Sequence, residues 1–336
     1  MTVTQSIRLD HLDRLCNERG IFEHAKFTTP RLQHGYCTDD NARLLLVMGR
    51  EPYVADAARL CNVSLRFVMH SIDKAGGVHN RMNQAGEWSD SPSTADCWGR
   101  AVWALGAVGA THVDPLVRAT ARDGFDQLAT QTSGWLHAMA FAALGAAEVL
   151  TVEPSHGPAV ALLERFLVMV DAPISDAWCW PVVRLSYANA SLAEAVIAAG
   201  TALGRPHATQ QGRDMLGWLI DLETRGGHLS VTGTSGRGPG DRHPQFDQQP
   251  IEVAAIADAA WRMSSLDDDP RWLNTVMLAA NWFYGNNDSK LVMFDQKSGG
   301  GYDGLGEQHV NQNQGAESTL AFVSTMQRFA QIGGAR

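Results

Sequence analysis

The feature that most constrains the fold is a repeat of helix-forming segments that each follow a long polar loop. Apolar residues recur at helical spacing along most of the 336-residue chain. Six predicted helices begin near residues 39, 94, 134, 189, 249 and 316; they are rich in small residues and apolar on nearly all sides. Buried helices have that composition. The helices between them follow shorter connections and are amphipathic. The two kinds alternate with a period of roughly 55 residues, which is typical of repeated helical hairpins.

This alternation predicts an all-α protein. Twelve helices and no series of strands are expected, arranged as six inner and six outer helices in a closed (α/α)6 toroid. A helix over residues 5–18 would complete the outer ring, and a single catalytic domain would span residues 1–336. The inner helices would then be parallel, with their N-termini and the long loops on one face. We expect the functional site on that face, because loops on a rigid scaffold carry binding and catalytic residues.

Several helix starts can be predicted from capping residues. Thr38 or Asp39 is a candidate N-cap for the helix over residues 39–50. Pro52 is expected to open the next helix, and Asp114 should cap the helix that begins at Pro115. Proline is tolerated in these positions because its missing N–H would have no partner inside the helix.

Charge and composition exclude several classes of partner. The net charge of −9 argues against nucleic acid or an anionic membrane surface. No signal peptide and no membrane-spanning run are evident, so a cytoplasmic protein is expected. The five cysteines show no zinc-site spacing and are expected to be reduced thiols, so we predict neither a metal nor an organic cofactor. A homo-oligomer remains open.

The segment HGYCTDDNAR, residues 34–43, places two adjacent carboxylates at the start of an inner helix. Asp39 and Asp40 could cap that helix, since its first turn offers unpaired N–H groups and the positive end of the dipole. Capping explains one acidic residue but does not explain the polar residues around it, among them His34 and Tyr36. One carboxylate is therefore expected to cap and the other, Asp40, to take part in chemistry, with the neighbours binding substrate.

Other polar and aromatic residues follow or start inner helices and should converge on the same funnel. Aromatic side chains there can stack on sugar rings, and carboxylates can bind hydroxyls. Each also has a simpler structural explanation: loop aspartates make Asx-turns, Asp96 could pair with Arg100, and first-turn acids favour the helix dipole. The candidates for substrate binding, besides those of the first motif, are Trp88, Asp96, Trp178, Trp180, His243, Asp247, Gln249, Asp303 and Glu317.

Asp40 and Glu252 are the candidate catalytic pair. Two carboxylates at a cleft suit cleavage of a glycosidic bond, because one protonates the leaving oxygen while the other activates water or attacks. The alternative for Glu252 is structural. With Gln249 as N-cap and Pro250 at the first helical position, Glu252 occupies the capping-box position.

Three segments together resemble a known group of proteins. The segments HGYCTDDNAR (34–43), FDQQPIE (246–252) and NQGAESTL (313–320) are similar to those of six-hairpin (α/α)6-toroid glycosidase-type domains of bacterial mannoside clusters. The resemblance covers nearly the whole chain. It implies internal cleavage of an α-mannoside chain in the cytoplasm, with inversion and without a cofactor. Asp40 and Glu252 would be its acid and base.

Two further hypotheses stay open. A sugar epimerase or polysaccharide lyase on the same toroid would use histidine or tyrosine as proton carriers, such as His34, His243, Tyr36 or Tyr302 at the centre of the funnel. A non-catalytic carbohydrate-binding partner of a glycosyltransferase would have an open aromatic groove, and its carboxylates would all serve as caps or ion pairs.

Overall fold

A computed structural model describes residues 7–51, 54–170 and 172–334, and it confirms the all-α toroid. Six inner helices form a closed ring, because each packs against the next and the last packs against the first. No helix of the described residues is both long and apolar enough to cross a bilayer. The inner helices are α2 (Thr38–Gly49), α4 (Asp96–Thr111), α6 (Leu136–Val152), α8 (Asn189–Ala202), α10 (Pro250–Ser264) and α12 (Ala316–Gly334).

The other helices form the outer layer. Five of them pack mainly on the inner helix that precedes them in the chain, and α1 packs on α12. The first is shorter than the expected helix over residues 5–18, and the expectation that Pro52 opens a helix lies outside the described residues. The outer helices are α1 (Asp10–Leu15), α3 (Ala55–Ser71), α5 (Pro115–Leu128), α7 (Gly157–Met169), α9 (Pro206–Leu222) and α11 (Pro270–Phe283).

Strands in the described part of the chain are short antiparallel pairs within or between the long loops. Each strand has only two residues, so the pairs brace the loops and form no sheet of their own. A 3-10 turn, η1, covers Leu32–His34. The pairs are β1 (Ala25–Lys26) with β2 (Thr29–Pro30), β3 (Tyr36–Cys37) with β4 (Arg81–Met82), β5 (Thr224–Arg225) with β6 (His228–Leu229), and β7 (Gly304–Leu305) with β8 (Val310–Asn311).

Small residues let the inner helices approach closely. A Cβ added at Gly106 of α4 would lie 2.4 Å from the Gly145 carbonyl oxygen of α6, and one added at Gly145 would lie 2.3 Å from that of Val102. Both distances are shorter than real contacts, so alanine at either position would push the two helices apart. The small-residue composition that identified the inner helices in the sequence therefore has a direct packing cause.

The caps agree with the sequence in one case and differ in another. Asp114 caps α5 through a 2.8 Å bond from the Leu116 N–H, as expected. Helix α2, however, is capped by Cys37, whose sulfur accepts from the Asp40 N–H at 3.4 Å. The expectation that Thr38 or Asp39 caps α2 is therefore wrong. Neither carboxylate of the Asp39–Asp40 pair is used in capping its own helix.

Candidate active site

A cavity of about 420 Å³ opens on the face where the inner helices begin. The starts of α2 and α12 and the loops before α2, α4, α10 and α12 enclose it. Its lining is mostly charged, with two arginines, Arg43 and Arg81, and one histidine, His24. Six carboxylates dominate it, and they come from Glu23, Asp39, Asp40, Asp247, Asp303 and Glu317.

Asp40 is the most deeply buried of these carboxylates. Its residue is only 3% exposed. The Arg43 guanidinium, one turn later on α2, donates to it at 2.6 Å, and the Cys37 thiol donates at 3.1 Å. Burial raises the pKa of Asp40 to about 6, although Arg43 opposes this rise. A carboxyl group of that pKa exchanges a proton near neutrality, as a general acid or base must.

Arg43 connects two of the cavity carboxylates. It contacts Asp40 on one side and Glu317 of α12 at 2.5 Å on the other. The Glu317 side chain remains 37% exposed and faces the opening. Because the guanidinium is planar and always charged, this bridge holds both carboxylates in fixed positions.

Asp39 contacts neighbouring loops and helices. It accepts from the Asn80 side-chain amide at 2.9 Å, and the Arg100 Nε of α4 lies 3.5 Å away. The expected pairing of Arg100 with Asp96 is therefore replaced by one with Asp39, while Asp96 accepts a hydrogen bond from the Tyr187 hydroxyl. Asp96 is the first residue of α4, and it is absent from the cavity lining.

Asp247 and Asp303 line the cavity from the loops before α10 and α12. Among the described residues, Asp247 Oδ1 has no hydrogen-bond partner, and burial raises the pKa of this carboxyl. Asp303 accepts from the Gly315 N–H at 2.7 Å, and burial raises its pKa as well. A Cβ at Gly304 would lie 2.4 Å from the Asp247 carboxylate, so a larger residue at position 304 would clash with the carboxylate in its present position. Gln249 lines the cavity and does not cap α10 with its side chain.

Glu252 is placed outside the cavity. Its carboxylate accepts from the Asn189 side-chain amide at 2.8 Å, from the Asn189 N–H at 3.2 Å and from the Ala188 N–H. It therefore caps the neighbouring helix α8, whose own N-cap residue, Ala188, has no side chain that could do so. This corrects both sequence interpretations of Glu252: it neither reaches the cavity nor completes a capping box on α10.

Three predicted substrate-binding residues of the first loops, Tyr36, Trp88 and His34, are absent from the cavity lining. Tyr36 is buried and stacks on Phe22, with ring centroids 4.4 Å apart. Trp88 packs against Phe67 and the same cluster, and His34 lies exposed on η1. Their ring faces are occupied by other side chains or point to solvent, so these residues do not line the cavity.

The expectation that Trp178 or Trp180 stacks on a sugar is also corrected. Both are buried, at 5% and 1% exposure, and both pack against Trp218 of α9. They anchor the loop before α8 to the outer layer and have no free face for a ligand. His243 lies half-buried outside the cavity lining, and burial lowers its pKa.

Sequence reasoning did not select Glu23, His24, Arg43 or Arg81 as site residues. Arg81 pairs with Glu23 and reaches the cavity through the pairing of β3 with β4. No spacing in the sequence links the two residues, because 58 positions separate them. Oxygen atoms of Glu23 and Asp40 and the Cys37 sulfur lie within 4.8 Å of one another and could share a cation. Arg43 and Arg81 already neutralise these carboxylates, which weakens the case for a metal.

Solved structures with the same fold are enzymes that act on sugars. A sugar epimerase from a ruminal bacterium has a TM-score of 0.71 at 13% identity, covering 95% of each chain. Cellobiose 2-epimerase from Bacillus thermoamylovorans has a TM-score of 0.72 at 11% identity, covering 96% of each. The GH76 α-mannanase of Bacteroides thetaiotaomicron has a TM-score of 0.63 at 12% identity, covering 89% of this chain and 87% of its own. At these identities the likeness establishes the fold alone. No protein-family model and no curated protein matches the sequence.

Proposed function

We propose that the protein is a glycoside hydrolase acting on an α-linked mannose-type oligo- or polysaccharide. The observation that carries the proposal is the polar cavity, in which a buried carboxyl of raised pKa, Asp40, shares one space with the unpaired carboxylate of Asp247. Glycosidases need two carboxyl groups in different environments facing one bond. The motif resemblance extends to mycobacterial methylmannose polysaccharide hydrolase, so a methylated α-mannoside chain is the first substrate to test.

In the proposed reaction Asp40 is the general acid and Asp247 the general base. Asp247 removes a proton from water, the water oxygen attacks the anomeric carbon, and the bond from that carbon to the leaving oxygen breaks. Asp40 gives its proton to the leaving oxygen. Inversion requires roughly 6.5–9.5 Å between the two carboxyl groups, so that water fits between them. Asp247 replaces Glu252 in the pair because Glu252 is held by the start of α8.

The remaining cavity groups are suited to holding hydroxyls. Asp303 and Gln249 lie beside Asp247, and Glu317 faces the opening. Carboxylates and amides accept or donate hydrogen bonds to sugar hydroxyls without taking part in bond cleavage. The Arg43 bridge would keep Asp40 and Glu317 fixed while a sugar binds in the cavity.

Product analysis tests the proposal directly. Purified protein is incubated with α-manno-oligosaccharides, with and without O-methyl groups, and with gluco-oligosaccharides as controls. Chromatography is expected to detect shorter α-mannosides, and NMR at first turnover is expected to show the β-anomer at the new reducing end. Unchanged mannosides at high enzyme concentration would refute the proposal, and an α-anomer would refute only inversion.

The rate of hydrolysis is expected to fall as the pH rises through about 6. Burial raises the pKa of Asp40 to about 6, and the acid must be protonated to act, so its active fraction decreases above that pH. The measurement is the pH profile of kcat/KM. In Arg43→Gln the fall of kcat/KM with rising pH should occur at a higher pH, because the Arg43 charge lowers the pKa of Asp40. If the fall occurred at the same pH in Arg43→Gln, the titrating group would not be Asp40.

A sugar epimerase is the second candidate, favoured by the fold shared with sugar epimerases and by His24 in the cavity. The four proton carriers considered for this class, His34, His243, Tyr36 and Tyr302, all lie outside the cavity lining. The same incubation in D2O separates the two classes. An epimerase would place deuterium on a sugar carbon and leave the chain length unchanged.

A further inference from the structure

The half of the helix ring opposite the loops before α10 and α12 carries an exposed aromatic ring. Tyr187 ends the loop before α8 and is 39% exposed. The back of its ring stacks on His137 of α6, with centroids 4.5 Å apart and planes 21° apart. Its hydroxyl donates to the Asp96 carboxylate at the start of α4. Two inner helices, α4 and α6, therefore fix the position of an aromatic ring that stays 39% exposed.

A series of contacts connects this ring to the cavity of the candidate site. Asp96 lies one turn before Arg100 on α4, and Arg100 Nε lies 3.5 Å from the Asp39 carboxylate that lines the cavity. The Arg100 guanidinium also packs 4.0 Å from the centroid of the Phe141 ring, which fixes its position. A chain leaving the cavity over Asp39 would therefore meet Asp96 and Tyr187 next.

The chemistry of the pair suits a pyranose ring. The C–H face of a sugar stacks on a flat aromatic surface, and a carboxylate at the edge of that surface accepts a bond from a hydroxyl. Tyr187 is held both behind its ring and at its hydroxyl, so little side-chain freedom would be lost on binding. None of the three tryptophans expected to stack offers a comparable surface, because Trp178 and Trp180 are buried and Trp88 packs on His79 and Phe67.

We propose that Tyr187 and Asp96 form a second sugar subsite, which binds the unit next to the one held in the cavity. The enzyme would then act on chains of at least two linked sugars and would bind single sugars poorly. This inference rests on the proposed function, since it assumes that a carbohydrate occupies the cavity.

Calorimetric binding in an Asp40→Asn background tests the subsite without turnover. The probe is an α-mannotetraose, methylated or plain, with mannose as the short ligand. Tyr187→Ala is expected to weaken binding of the tetrasaccharide about tenfold, which is the effect of losing one aromatic contact. Tyr187→Phe keeps the ring face and should remain within about threefold of the parent.

Tyr284→Ala is the matched control. Tyr284 is also a surface tyrosine, at 49% exposure, but it packs on Phe294 at the edge of a different cavity. Its replacement should leave tetrasaccharide binding unchanged. Equal binding by Tyr187→Ala and its parent would overturn the subsite while leaving the hydrolase proposal in place. A parent that binds no tetrasaccharide would overturn both.

Discussion

Asp40→Asn is expected to lower kcat by about 10³-fold, which is within the range that a general acid contributes. The amide has nearly the shape of the carboxyl group but cannot deliver a proton to the leaving oxygen. The fold should survive, because burial already disfavours the charged form of Asp40 and because Arg43 keeps its contact with Glu317. Steady-state kinetics on the best α-mannoside, together with a thermal melt, measures both expectations.

Asp39→Asn is the matched control for this variant. Asp39 is adjacent in sequence and lines the same cavity, but it is held by Asn80 and Arg100. We expect its replacement to reduce kcat far less than Asp40→Asn does. If Asp39→Asn removed turnover while Asp40→Asn remained active, the roles of the two neighbours would have to be exchanged.

The second large effect concerns stability. Glu252→Gln is expected to lower the free energy of unfolding by about 3 kcal/mol, because an amide would turn its own NH2 group toward the N–H donors of Ala188 and Asn189 and leave a buried donor unpaired. Burial raises the pKa of Glu252 to about 8, so the expected loss does not rest on a full negative charge. The melting temperature should fall by roughly 4 °C for that loss. Turnover at low temperature should fall less than tenfold, since Glu252 binds the start of α8 and does not touch the cavity.

Glu164→Gln provides the comparison, since Glu164 is an exposed glutamate on α7 that pairs with Arg205 at 2.8 Å. An exposed pair contributes less than about 1 kcal/mol, so its melting temperature should hardly change. A Glu252→Gln variant that melts like the parent but has lost turnover would contradict the capping role. It would return Glu252 to the catalytic pair.

The two tests separate residues that looked alike in the sequence. Asp40, Glu252 and Glu317 all lie in the first turn of an inner helix, where an acidic residue favours the dipole. The structure gives each a different environment. Asp40 is buried in the cavity wall, Glu252 binds the next helix, and Glu317 is half-exposed in a bridge to Arg43.

The sequence by itself determined the toroid and the face on which the candidate site was expected. Small-residue helices that alternate with amphipathic ones can bury their surfaces only as an inner and an outer layer, and parallel inner helices collect their N-termini on one side. These are properties of spacing along the chain, so they can be read without coordinates. Of the residues placed on that face from the sequence, Asp39, Asp40, Asp247, Gln249, Asp303 and Glu317 line one cavity.

Only the tertiary structure decided which side chains share the cavity. Glu252 binds the start of α8, where the N–H groups of Ala188 and Asn189 have no hydrogen-bond acceptor inside the helix. The N-cap residue of α8 has no side-chain hydrogen bond that could serve instead. Trp178 and Trp180 pack on Trp218, because removing their large apolar rings from water is favourable in free energy. These side-chain positions depend on contacts between helices that are distant in sequence, and the local spacing of residues does not predict such contacts.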